Sequence, residues 1–203
     1  MFAPFIHIKR YRPFLVLAFG VALCIFIVIE YIRVYLPDMH PLIGNVSKFY
    51  ANFIDSRENP SQFLLSHIYL LVGIALPVWL DSVQNSYHHH HHHHHSISTI
   101  LPHLGWISIG IGDSMGAVMG TYIGKNKWRG RSRTLEGSLS MLVSMIVSLT
   151  LANSYFVNTY FVIIIVVSIL TTLMEAFTSE NDNLLLPLHY CTLLGSLFLI
   201  VGK

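Results

Sequence analysis

The stretch that decides how this chain is read is GWISIGIGDSMGAVMGTYIGKNKWRGRSRTLEGSLS, running from Gly105 to Ser140. Its first half is apolar and rich in glycine, with a single carboxylate, Asp113. Gly112, Gly116, Gly120 and Gly124 recur at every fourth residue, a spacing that gives one helix face on which two backbones approach closely. The second half is a basic loop, with Lys125, Lys127, Arg129, Arg131 and Arg133 inside nine residues. Thr134, Glu136 and Gly137 close that loop before the next apolar run. An acid in apolar surroundings, a cluster of cations and glycines that admit a close ligand are together the equipment for holding a metal-chelating polyanion. Ordinary juxtamembrane cations touching lipid head groups would explain the basic residues taken alone. They would not require Gly130, Thr134, Glu136 or Gly137. No P-loop pattern is present, which excludes a Walker nucleotide site.

Composition says what solvent surrounds this stretch. Of 203 residues, 53% are hydrophobic and 11% charged, against about 25% charged in a soluble domain. Lipid is the implied solvent. The net charge of +2 is small and its basic residues are local, which argues against nucleic acid as a partner. Cys24 and Cys191 each sit in an apolar run and read as small buried hydrophobes.

Working outward, six apolar segments can be marked, at about 14–31, 63–80, 104–122, 139–152, 160–177 and 184–200. A hydrocarbon core about 30 Å thick takes about 20 helical residues, and backbone in lipid must satisfy its own hydrogen bonds. The expectation is an all-α polytopic transmembrane helix bundle of about six spans, one membrane domain over 1–203. The fourth segment is short unless it begins at Leu135. Pro77 and Pro187 are expected to kink or cap their helices. The basic start with Lys9, Arg10 and Arg12 is followed by no small-residue cleavage site, so the first segment reads as a retained helix. Residues 1–62 then comprise the first span and a stretch, Leu42 to Ile54, whose apolar side chains repeat at helical spacing. That stretch reads as a short interfacial helix or as a connector packed on the bundle. The run His88–His95 has no defined ligand geometry and reads as a low-complexity insertion or a tag.

A carboxylate within a span costs at least about 2.5–3.5 kcal/mol unless it faces protein or water, which makes Asp113 a functional candidate. On a regular helix it lies about 18 Å below Lys125. Either water must reach it through a cavity, or the helix must break near 110–112. The five basic residues of 123–134 place that loop in the cytosol by the positive-inside rule. Alternation then brings Glu175 and the turn at 178–183, with Asp182, to the same face. Each acid is a candidate second metal ligand or base; a plain helix–helix turn with Asp182 or Asn183 as N-cap explains the turn equally well.

These residues carry a resemblance. Gly110-Ile-Gly-Asp-Ser-Met-Gly-Ala117, with Gly120, Gly124, the basic stretch and Arg133-Thr-Leu-Glu-Gly-Ser138, resembles the signature of the polyprenol and phytol kinase family. Ser66-His-Ile-Tyr-Leu-Leu71, Leu76-Pro-Val-Trp-Leu80, Leu173-Met-Glu-Ala-Phe-Thr178 and Asp182-Asn-Leu-Leu-Leu-Pro-Leu188 are similar to the dolichol kinases within it, over their C-terminal part. The resemblance implies a kinase-like core over 63–203 in the endoplasmic reticulum membrane. That core would use CTP to phosphorylate the polyprenol dolichol, supplying dolichyl phosphate for protein glycosylation. It implies a cytosolic CTP loop over 122–140, in which Lys125, Lys127, Arg129, Gly130, Arg131, Arg133, Thr134 and Gly137 bind nucleotide. It matches Asp113 to the family's aspartate in the glycine-rich helix; the polar groups themselves suggest Asp113 as a ligand of Mg²⁺, with Glu136, Glu175 or Asp182 as candidate catalytic base. Arg133 stands where the wider family usually has lysine, which keeps the charge and changes the donor geometry. A lipid-phosphate cytidylyltransferase and a non-catalytic membrane protein are the rival expectations.

Overall fold

The computed structural model describes residues 3–35, 63–87, 100–156, 161–178 and 182–201. The expected interfacial helix at 42–54 and the histidine run at 88–95 lie outside these residues. The helices are α1 (Ala3–Tyr35), α2 (Leu65–Tyr87), α3 (Ser114–Tyr122), α4 (Leu135–Phe156), α5 (Phe161–Phe177) and α6 (Asp182–Val201). A 3₁₀ turn (Leu101–His103) and a π-helix (Trp106–Asp113) lead into α3. Among the described residues there is no strand, only an isolated bridge between Lys127 and Thr134.

Apart from 63–64, the described residues of each of the six apolar segments fall on helix, so the all-α membrane bundle stands. Tyr11–Tyr35, Leu65–Val83 and Leu135–Ala152 are long and apolar enough to cross a bilayer, and Phe161–Phe177 is a shorter apolar helix. The fourth segment does begin at Leu135. Pro77 and Pro187 sit within α2 and α6, as Pro13 does within α1. Each helix continues past its proline, tolerable where neighbouring helices compensate for the lost backbone bond.

The burial pattern is that of a protein dissolved in lipid. Along α1, Phe14, Leu17, Val21, Ile25 and Val28 are exposed, whereas Glu30 and Arg33 are buried. Apolar side chains face outward because lipid tails impose no penalty on them; charged ones turn inward to partners. Cys24 shows the same inversion. It is exposed on α1, contrary to the expectation of burial, while Cys191 is buried as expected. An apolar run on an outermost helix meets lipid, not core.

Helices α1 and α2 run antiparallel, and polar contacts fix their register at two levels. Arg12 pairs with Asp81 at 2.8 Å, and Trp79 donates its indole N–H to the Val16 carbonyl at 3.3 Å. Toward the other end, Arg33 donates to both oxygens of Glu30, and the Leu64 N–H reaches Glu30 Oε2 at 3.2 Å. Arg12 and Glu30 are about 27 Å apart at 1.5 Å per helical residue, close to one hydrocarbon thickness. Beyond this pair, α2 packs on α6, and α6 on α5. The π-helix lies against α4, α6 and α2. Ile107, Met145, Ile164, Leu186 and Tyr190 meet there in the core.

Candidate functional site

The site grows out of the contact between α3 and α4. The glycines at every fourth residue are the approach face that their spacing predicts. A Cβ on Gly116 would come within 3.4 Å of the Gly137 carbonyl oxygen, and one on Gly120 within 3.0 Å of Thr134 Oγ1. From the other side, a Cβ on Gly137 would lie 2.8 Å from the Gly116 carbonyl oxygen. Backbone therefore runs against backbone, with α4 starting beside the last two turns of α3.

Between them the basic residues form a tight hairpin. Trp128 N–H donates to the Arg133 carbonyl at 3.0 Å and Leu135 N–H to the Asn126 carbonyl at 2.8 Å. Arg131 N–H closes a four-residue turn onto the Trp128 carbonyl at 3.0 Å. Gly130 occupies the third position of that turn with φ of 73°, the left-handed conformation that a type II turn reserves for glycine. The side chains of Lys125, Lys127, Arg129 and Arg131 are exposed around it.

The closing residues turn out to build the loop. Thr134 is the N-cap of α4, its Oγ1 accepting from the Gly137 N–H at 3.2 Å, the usual bond from N-cap to third residue. Glu136 accepts from the Asn126 backbone N–H at 3.2 Å and from Asn126 Nδ2 at 2.8 Å, which ties the base of the hairpin. Trp128, missed as a site residue in the sequence, pins the hairpin sideways. Its indole N–H reaches Ser138 Oγ at 3.0 Å, and its ring meets the edge of Phe177 with centroids 5.2 Å apart. A tryptophan alone among basic residues was the available signal.

Arg133 points the other way from its neighbours. Its Nη1 lies 2.7 Å from Glu175 Oε1 and 4.0 Å from Asp113 Oδ1. The first is a charged hydrogen bond; the second is a charge contact without one. Glu175 is buried near the end of α5, its side chain 6% exposed, whereas Asp113 is 24% exposed at the end of the π-helix. Of the two expected ways to bring water to Asp113, a cavity or a break near 110–112, the helix does not break but widens there. Ser114 N–H bonds back to the Ile109 carbonyl, five residues earlier, and such π turns often mark functional positions. Gly116, Gly120, Ser132, Arg133, Gly137 and Glu175 contribute to the wall of an open cavity of about 210 Å³. Arg133 and Glu175 thus line the cavity together, with Asp113 outside its wall but 4.0 Å from Arg133, while Lys125, Lys127, Arg129 and Arg131 do not line it. Glu136 faces Asn126, and the side chain of Asp182, at the first residue of α6, lies outside the described side chains.

Among the described residues no group of three or more metal-ligating side chains occurs. Two acids meeting one guanidinium nitrogen nevertheless suit a cation that takes one or two carboxylates and completes its shell with phosphates and water, as Mg²⁺ does.

No family model and no solved structure matches the chain. Curated proteins do. Human dolichol kinase is 33% identical over 187 residues, 90% of this chain and 34% of its own. The dolichol kinase EVAN of Arabidopsis thaliana is 30% identical over 201 residues, 96% of this chain and 32% of its own. An uncharacterised Rickettsia prowazekii protein, RP860, is 30% identical over 151 residues, 72% of this chain and 65% of its own. The chain spans about a third of the length of the curated kinases it matches. By sequence, then, the chain is similar to dolichol kinases over about nine-tenths of its length.

Proposed function

We propose that this chain carries the phosphoryl-transfer site of a CTP-dependent dolichol kinase in the endoplasmic reticulum membrane, its hairpin facing the cytosol. The observation that supports this reading most is the convergence of Asp113 and Glu175 on Arg133, which with Glu175 lines a polar cavity, in a chain similar to dolichol kinases almost throughout.

The residues divide the work as follows. Lys125, Lys127, Arg129 and Arg131 attract the triphosphate and neutralise its outer oxygens. Arg133 positions the γ-phosphate in the cavity, while Gly130 and Gly137 shape the hairpin turn and the α3–α4 contact that hold it there. Asp113 would hold Mg²⁺, which would supply charge neutralisation to the phosphates. Glu175, buried at the cavity wall, accepts the proton of the dolichol hydroxyl as its oxygen bonds to phosphorus; CDP leaves. A loose transition state asks little more of the protein than placement and charge. Glu136 is spent on Asn126 and supports the loop.

Membranes containing the chain, given CTP labelled in its γ-phosphate and several polyprenols, should form labelled dolichyl phosphate and release CDP. Asp113→Asn should insert normally and lose transfer. Release of pyrophosphate would establish a cytidylyltransferase instead, and near-normal transfer by Asp113→Asn would remove its metal role.

A further inference from the structure

Arg133 behaves unlike the other cations of the hairpin. Lys125, Lys127, Arg129 and Arg131 are exposed, as residues awaiting a soluble polyanion should be. Arg133 is turned inward, and one of its nitrogens serves two acids from different elements, at 2.7 Å from Glu175 and 4.0 Å from Asp113. It also lines the cavity, beside Ser132 and Thr134. A guanidinium in this position screens the charge of Asp113 and engages the Glu175 oxygen. Neither acid is then available for cation binding or proton transfer. Phosphate offers the same planar fork more charge and more acceptor oxygens than either carboxylate. Arg133 lines the cavity, and the contacts it makes are with the two acids.

We propose, granted the kinase reading above, that Arg133 is a specificity-determining gate. It holds Asp113 and Glu175 while the cavity lacks nucleotide, and transfers to the phosphates when nucleotide enters. That movement releases Asp113 to a divalent cation and Glu175 to the lipid alcohol. The site therefore admits its cation together with a polyphosphate, and rejects the bare ion. It also keeps the base disarmed toward an alcohol that arrives before the nucleotide.

The test is nucleotide-free Mn²⁺ binding to the full chain in detergent micelles, followed by the loss of the free-ion electron paramagnetic resonance signal. Arg133→Gln should bind Mn²⁺ at least about tenfold more tightly than the unaltered chain, since a cation beside both acids has gone. Adding Asp113→Asn should erase that gain. The histidine run is common to every variant, so its own metal binding cancels in the comparison. If the glutamine variant does not accumulate, Arg133→Lys serves. Its point-charge ammonium cannot make the same planar contacts, and an intermediate gain is expected. A substituted chain that binds Mn²⁺ no more tightly than the original, or a gain that survives Asp113→Asn, overturns the gate. The kinase reading is judged separately, by label transfer from CTP. Loss of that activity in the unaltered chain would sink the kinase while leaving the Mn²⁺ result standing.

Discussion

Substituting Gly137 by alanine tests whether the site depends on the backbone contact between α3 and α4. A Cβ there would lie 2.8 Å from the Gly116 carbonyl oxygen, 2.9 Å from Thr134 Oγ1 and 3.1 Å from Gly120 Cα. Ordinary contact begins near 3.4 Å. Two of the three obstacles are backbone, so the helices must part by roughly half an ångström. Overpacking of this kind costs about 1–3 kcal/mol, and disturbing the Thr134 cap about 1 kcal/mol more. Against this stands the better helix propensity of alanine, about 1 kcal/mol. The clash wins, by about 1–3 kcal/mol net, or a fall of about 2–4 °C in Tm for each kcal/mol. Transfer should suffer more than stability, because a 1 Å displacement of positioning groups can cost about a hundredfold. About tenfold is expected here. Gly195→Ala is the internal control: a Cβ there meets nothing within 4 Å, so it should be neutral or slightly stabilising. Thermal unfolding in detergent and label transfer from CTP, run side by side, supply the readings. Equal behaviour of the two alanine variants in both would refute the claim that close approach holds the site together.

Thr134→Ala should lower stability by about 0.5–2 kcal/mol through loss of the N-cap, while Thr134→Ser keeps it; thermal unfolding distinguishes the pair. Trp128→Phe retains a ring against Phe177 and loses the hydrogen bond to Ser138, so a cost of about 0.5–1.5 kcal/mol is expected. Trp128→Ala loses both contacts and should raise the KM for CTP by letting the hairpin drift, read from initial rates. Asp81→Ala leaves the mostly buried Arg12 without its 2.8 Å partner and should cost about 3–5 kcal/mol. Adding Arg12→Met should restore most of that stability.

How much of this was legible beforehand depended on the range of each interaction. The helices were readable because lipid forces apolar runs to be helical, whatever their neighbours. The approach face of α3 was readable from its four-residue glycine repeat, which is local information. Glu30 and Arg33 were not read as a buried pair. They lie at the end of an apolar run, and only the return of the chain at Leu64, just before α2, encloses them. The outward position of Cys24 was lost for a related reason: apolar neighbours along the chain do not say whether the surroundings are protein or lipid. The π turn was also invisible. Nothing in its residues separates a widened helix from a broken one, and both were ways to bring Asp113 to water.

The same reasoning explains why the acid and the arginine could be named but not joined. Asp113 drew notice because a carboxylate among apolar residues is costly, and Arg133 because it ended a run of cations. What joins them is the hairpin, which folds the chain back by a glycine-dependent turn at Gly130 and returns Arg133 to the base of α3. Glu175 enters from α5, beside the Phe177 ring that Trp128 abuts. Hairpin, cap and ring contact each have a local cause in Gly130, Thr134 and Trp128. Their joint effect is to place a cation between two acids that the linear sequence keeps apart. The chemistry therefore depends on the loop's architecture as much as on its charge: a loop with the same five cations but no Gly130 turn or Trp128 anchor would still attract a polyanion, yet would not deliver Arg133 to Glu175.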